Sequence, residues 1–238
     1  EEAKAVWESL LDTLAFSKPL FFTNHYTGGD EIFIQDLNNN LYLINSAGRI
    51  LWKRPLDEAI EGDAYMIDYY KNGKLQILFA SRNYLHLIDR NGNYVERYPV
   101  QLRSPATNGL ALFDYENNMD YRLFICGADR KVYAYDKAGN TVKGWNQFIT
   151  SSPVRNEVEF FRVSGKDYLV LNDDDNMYIL DRRGNVRVEM KEQVARSKRS
   201  SLRLTTGSRP RMVLASGDGS IKMVNFSGEE QTYEMKGF

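Results

Sequence analysis

The side chains able to do chemistry in this chain are few: two histidines, a single cysteine, one run of acids and three further carboxylates, two of them at matching positions. The run Asn172-Asp173-Asp174-Asp175-Asn176 offers the carboxylate and amide oxygens that a hard cation such as calcium requires. It lacks the glycine and distal glutamate of a calcium loop, so a solvated inter-strand turn is the favoured reading. Asp68 and Asp114 occupy matching places in Met66-Ile67-Asp68-Tyr69-Tyr70 and Leu112-Phe113-Asp114-Tyr115, and Glu159 lies nearby in the fourth copy. Two carboxylates across a funnel are what glycoside cleavage needs, but residues that recur at one repeat position are expected to serve the repeat. Cys126, being alone, can form neither an intrachain disulfide nor a thiolate zinc cluster, and reads as a packed strand residue. His86 sits in an apolar run and reads as packing; His25, in His25-Tyr26-Thr27-Gly28-Gly29, reads as part of a turn. No spacing of ligands fits zinc and no Gly-rich loop leads into Lys-Ser/Thr. The sequence therefore assigns no catalytic residue, cofactor or metal site, and the expectation is a protein that is not an enzyme.

The elements that would carry these residues come as copies. An Asn or Asp stands three residues before a glycine five times: Asn45 and Gly48, Asp89 and Gly92, Asp136 and Gly139, Asp181 and Gly184, Asn225 and Gly228, with glycines 44, 47, 45 and 44 residues apart. Each pair follows a short apolar run, from Leu41-Tyr42-Leu43-Ile44 to Ile221-Lys222-Met223-Val224. Asx supports such a turn with its side chain and glycine accepts positive φ, so each copy reads as strand, turn, strand, the closing strands including 49–53 and 93–97. Two further strands lie upstream in every copy. Four strands at this period is the pattern of propeller blades, each of which buries its faces only against neighbours.

Leu41-Tyr42 through Leu51-Trp52 resembles the PQQ-like β-propeller repeat, in which Asp-Gly-x-Leu-Tyr-Ala-Leu-Asp precedes a Gly-Lys-x-Leu-Trp turn and strand. The first copy matches best; copies two to four keep the Asp-x-x-Gly turn and copy five has Asn225 there. The resemblance spans residues 18 to 238 and implies an all-β propeller of five four-stranded antiparallel blades, in units of about 18–57, 58–103, 104–152, 153–196 and 197–238. Either a closed five-bladed ring or part of a larger propeller satisfies it, the ring being favoured because an arc leaves two blade faces bare. The vicinal cysteines and calcium site of quinoprotein dehydrogenases are absent. Repeats of this kind resemble those of an outer-membrane-assembly lipoprotein, which implies a periplasmic or cell-envelope location.

Composition agrees with a folded domain: 42 % hydrophobic and 26 % charged residues over 238 positions, with a formal charge of −1. That balance gives no reason to expect nucleic acid or a polybasic membrane contact, and no apolar run is long enough to insert in a membrane. The chain opens at Glu1 rather than Met, so the lack of a leader pattern carries no information about export. Residues 1–17 stand outside the repeat; Val6, Trp7, Leu10, Leu11 and Leu14 fall on one helical stripe, which predicts an amphipathic N-terminal helix.

Binding residues concentrate on loops of rigid scaffolds. The segments leading into the innermost strands are acidic before the second copy (Asp57, Glu58, Glu61, Asp63) and basic before the later ones (Arg103, Arg155, Arg196, Lys198, Arg199, Arg203). The expectation is a non-enzymatic scaffold that binds a protein partner, with Arg103, Arg155, Arg196, Lys198 and Arg199 as candidate contacts. The alternative is a propeller that binds or cleaves glycan, with carboxylates in the central funnel and Phe148 as one of few aromatic side chains on the loops.

Overall fold

The computed structural model describes residues 5–234. Among them every regular element is a β-strand, and the strands form five antiparallel sheets, each built from consecutive strands. The chain divides into two compact units, one taking residues up to 106 with 114–122 and 137–139, the other taking 107–113, 123–136 and the residues from 140 on.

The first unit holds two four-stranded sheets. One comprises β1 (Leu20–Thr23), β2 (Asp30–Gln35), β3 (Asn40–Ile44) and β4 (Ile50–Pro55); the next comprises β5 (Ile60–Ile67), β6 (Gln76–Ser81), β7 (Tyr84–Asp89) and β8 (Val100–Gln101). Period-two alternation puts Phe22, Phe33, Leu41 and Leu43 on one face of the first sheet, where they pack against Ile60, Ile77, Phe79 and Ile88 of the second. In the second sheet only Tyr94 bridges to Ile88 where a strand over 93–97 is expected; the chain turns and resumes pairing at β8.

The second unit holds the other three. A three-stranded sheet comprises β9 (Ala111–Phe113), β10 (Arg122–Cys126) and β11 (Val132–Asp136). Two four-stranded sheets follow, β12 (Glu159–Val163), β13 (Lys166–Asn172), β14 (Met177–Leu180) and β15 (Val186–Val188), then β16 (Arg203–Leu204), β17 (Met212–Ala215), β18 (Ile221–Val224) and β19 (Glu230–Tyr233). Tyr168, Val170, Met177 and Ile179 pack against Leu202, Met212, Leu214 and Val224. The fourth strand expected in every copy is missing from the three-stranded sheet for a local reason. The chain makes isolated bridges there, Thr141 to Tyr135 and Ile149 to Lys131, and between them Trp145 turns inward, its indole donating to the Val132 carbonyl at 2.8 Å and meeting Phe124 edge-on at 5.3 Å.

The five Asx-x-x-Gly turns form as read. In the turn of the fourth sheet Gly184 N donates to Asp181 O at 3.1 Å, and the Asp181 carboxylate accepts from the Arg183 and Asn185 amides at 2.8 and 3.0 Å. The five glycines have φ between +78° and +81°, the left-handed region that side chains with a Cβ resist.

The N-terminal helix does not form. Residues 1–4 lie outside the described part, and 5–17 run as an irregular strap whose backbone bonds to the first sheet. The Phe16 and Ser17 amides donate to Gln35 O, Leu37 donates to Leu14 O, and the Asp12 amide donates to the Tyr42 hydroxyl. Trp7 and Leu11 pack on Ile34, Tyr42 and Ile44, whereas Val6, Leu10 and Leu14 are 93, 89 and 74 % exposed, so the helical stripe is split between two environments. Trp7 covers the turn at Gly48 as Trp52 covers Gly92, so the strap supplies the first turn with the cover that an outer strand gives the second.

Candidate interaction surface

In an antiparallel sheet of this order the segment entering the first strand and the hairpin between the second and third share one end. Side chains there fasten the entering segments. In the first unit Gln35, wholly buried at the end of β2, donates to Glu58 O at 3.1 Å and accepts from Ile60 N at 2.8 Å. Asn172 holds the matching place in β13 and donates to Val194 O at 3.0 Å, but, one methylene shorter, leaves its buried Oδ1 without a partner. Asn108 donates to Asn156 O at 3.0 Å and accepts from Cys126 N at 2.8 Å.

Three hairpins are knotted by an aspartate bonded to the repeated tyrosine: the buried Asp36 with Tyr42 (2.9 Å), the exposed Asp129 with Tyr133 (2.6 Å) and the buried Asp173 with Tyr178 (2.7 Å). Asp173 takes six donors: the Asp175 and Asn176 amides, Asn176 Nδ2 and Tyr178 Oη, and from the segment entering β12 the Ser151 and Ser152 amides at 3.0 Å each. Burial would raise its pKa, but these bonds, Tyr178 foremost, outweigh it and hold the carboxyl below the ordinary range. The acidic run thus spends its one inward carboxylate on the fold, as a turn rather than a cation loop. Deleting one hydroxyl tests the knot: Tyr42→Phe, at a residue 1 % exposed, is expected to cost about 1.5 kcal/mol in urea unfolding, the value of a hydrogen bond to a charged group.

The carboxylates considered for glycoside cleavage are likewise engaged. Asp68 accepts from the Asn72 and Gly73 amides at 3.1 and 2.7 Å, and Asp114 from Asn118 and Met119 at 3.0 and 2.8 Å, each closing the hairpin after the innermost strand. Glu159 pairs with Arg196 at 2.7 Å. Burial outweighs that pairing and leaves its carboxyl above the ordinary range. Cys126 is fully buried, its thiol pushed up to about 12 by desolvation, and His25 accepts from the Leu75 amide at 3.2 Å. Phe148 is half-buried against Tyr178, with ring centroids 5.0 Å apart.

Of the five candidate contacts, the second unit brings four to neighbouring loops. Arg155 is exposed on the segment entering β12, and its neighbour Asn156 donates to the carbonyl of Lys198 at 3.2 Å, which ties that segment to the loop before β16. Lys198 and Arg199 are exposed there, and no carboxylate among the described residues pairs with either or with Arg155. The loop is closed on itself and on β17 by Arg196 Nε to Ser200 O (2.8 Å), Ser197 N to Ala215 O (2.9 Å) and Ala215 N to Ser200 Oγ (2.8 Å). Arg196 is not a surface residue: its side chain is 5 % exposed and serves the loop from beneath. Arg103 is exposed and belongs to the first unit.

One polar cluster departs from the repeat. In the second sheet His86 replaces the tyrosine, Ser81 stands where Asp36 and Asp173 do, and Ala80 stands where Gln35 and Asn172 do. Ser81 Oγ lies 2.6 Å from Glu58 Oε2 and 3.0 Å from His86 Nε2, while His86 Nδ1 lies 2.9 Å from the Tyr94 hydroxyl. His86 stacks on Phe79 at 4.8 Å, so it does pack as expected; its bonds to Ser81 and Tyr94, and the tie through Ser81 to Glu58, were legible only as a departure from the other copies.

No protein-family model and no curated protein matches the sequence. Solved structures do match the fold. BBS1N in complex with ARL6DN is similar with a TM-score of 0.64 at 11 % identity, over 92 % of this chain and 68 % of that one in a lead-soaked crystal, and with 0.58 at 12 % over 87 and 64 % in a mercury-soaked one. BamB from Moraxella catarrhalis is similar with 0.58 at 17 %, over 90 and 63 %; dihydro-heme d1 dehydrogenase NirN in complex with DHE with 0.54 at 11 %, over 87 and 45 %. The chain thus spans less than two thirds of the length of several of the proteins it resembles. At these identities the likeness speaks of fold and not of activity. The repeat, the five antiparallel sheets and these neighbours agree on that fold, a β-propeller.

Proposed function

We propose that the chain is a non-enzymatic propeller scaffold whose second unit binds an acidic surface of a protein partner through Arg155, Lys198 and Arg199. The observation that carries this is three exposed cations with no carboxylate partner, held on loops pinned by Asp173, Asn108, Arg196 and Ser200. A pinned loop loses little conformational freedom on binding, and unpaired like charges steer an oppositely charged partner. Arg196 acts as the positioning residue of this loop, and Arg103 is a separate candidate contact of the first unit. The likeness to BBS1N in complex with ARL6DN fits a protein partner, and the likeness to BamB fits the cell-envelope location that the repeats imply. The test is affinity capture from the source cell with the wild-type chain and with Arg155→Glu/Lys198→Glu/Arg199→Glu. The expected result is one acidic protein retained by the first and reduced about tenfold or more by the second, at equal folding. Equal capture by both would overturn the assignment.

A further inference from the structure

The polar cluster of the second sheet opens on a cavity of about 240 Å³ lined by Leu56, Asp57, Glu58, Ser81, Tyr84, His86, Tyr94 and Pro99. Its lining residues all belong to the first unit.

The direction of the hydrogen bonds sets what the cavity offers. The Glu58 carboxyl is held below its ordinary range: burial would raise it, but bonds from Ser81 and Asn83 outweigh burial, so it is ionised at neutral pH and can only accept. Ser81 therefore gives its one proton to Glu58. His86, neutral in its buried place, then donates from Nε2 to Ser81 Oγ and accepts at Nδ1 from the Tyr94 hydroxyl. Every hydroxyl and imidazole proton in the chain runs toward Glu58, so the lone pairs left over on these groups are acceptors. Asp57 adds a second carboxylate; it is exposed, and no described residue bonds to it. The rings of Tyr84 and Tyr94 flank the imidazole at 6.1 and 5.9 Å. The cation Arg54 is close by and already committed, lying over the Tyr94 ring at 4.2 Å with a bond to the Gly92 carbonyl.

We propose that this cavity binds an alkylammonium group, delivered by a lysine side chain of a protein partner or by a free amine. An ammonium has three donors and no acceptor, the complement of an acceptor-rich lining, and aromatic faces stabilise it further. The volume suits one side chain and falls below that of pockets for drug-sized ligands. Only the lysine source rests on the protein-binding reading.

The test is a titration of the isotope-labelled full chain, followed by amide NMR, with n-butylammonium chloride, with 1-butanol and with a blocked lysine tripeptide. Saturable shifts at Asn83, Tyr84 and Tyr94 are expected with butylammonium and not with butanol. Asp57→Asn, at an exposed position that the fold does not use, is expected to weaken binding about fivefold. Tighter binding of the tripeptide than of butylammonium assigns the site to a protein lysine, and the reverse assigns it to a free amine. Absent shifts, equal shifts with butanol, or unchanged affinity in Asp57→Asn would overturn the proposal. Lys198→Glu/Arg199→Glu is expected to leave amine binding unchanged. Equal partner capture by the wild-type and charge-reversed chains, with amine binding intact, would thus count against the scaffold reading alone, and capture reduced by the reversal with no amine binding would count against this one alone.

Discussion

Gly184→Ala is expected to destabilise the chain by about 4 kcal/mol in urea unfolding, while Gly73→Ala costs about 1 kcal/mol. Both glycines have positive φ, +81° and +78°, so both substitutions strain the backbone. They differ in what an added Cβ meets. At Gly73 nothing lies within 4 Å; at Gly184 the Cβ would strike the backbone carbonyl oxygen of Asn146 and come within 3.1 Å of the Trp145 ring. A backbone oxygen in that place can yield only if the segment from Trp145 to Asn146 moves, and that segment is bonded to the turn through Asn146 N and Arg183 O at 2.6 Å. The turn glycines therefore do two jobs, curving the chain and letting the segment of the preceding copy lie directly on the turn. Equal costs at the two positions would show that only the first matters.

Acidification is expected to weaken the fold through His86. Its pKa is lowered from 6.5 to about 4, chiefly by burial, with Arg54 adding to the shift and Glu58 opposing it. The unfolded chain takes up the proton first, so the contribution is full above the unfolded value near pH 6.5 and is lost as pH falls toward 4. Between pH 7 and about pH 4.5 the loss amounts to about 2.5 kcal/mol. Glu159, whose carboxyl is raised by burial, works in the opposite sense. The check is urea unfolding of the wild type and of His86→Phe across this range. The variant is expected to be less stable at pH 7, having lost the bonds to Ser81 and Tyr94, and to show a much flatter decline; an unchanged slope would mean that another group titrates.

The turns were legible in the sequence because their causes are local: Asp181 and Gly184 carry the side-chain acceptor and the permissive backbone within four residues. The sheets were legible because a short apolar run recurs before each turn, as at Leu85-His86-Leu87-Ile88. The N-terminal strap was misread because Val6, Leu10 and Leu14 keep helical spacing, while what decides its conformation are acceptors and donors far along the chain at Gln35, Leu37 and Tyr42; tertiary bonding overrides a local pattern. Trp145 hid the loss of an outer strand in the same way. Among the candidate contacts, residue type marked Lys198 and Arg199, but nothing local distinguished them from Arg196, whose place is set by Glu159 on another strand. The tyrosines at 42, 133 and 178 looked like packing; that each is bonded to an aspartate at the other side of its hairpin shows only in three dimensions.

The central claim is that the loops entering β12 and β16 meet a partner. The most direct measurement places a photo-crosslinking amino acid at Arg199 in one chain and at Lys166 in another, both exposed, Lys166 lying beside the hairpin at the far end of the β12 sheet. Irradiation in the source cell is expected to give one discrete protein adduct from position 199, lost when Arg155 and Lys198 are reversed to Glu, and none from 166. Adducts from both positions alike, or from 166 alone, would contradict the account.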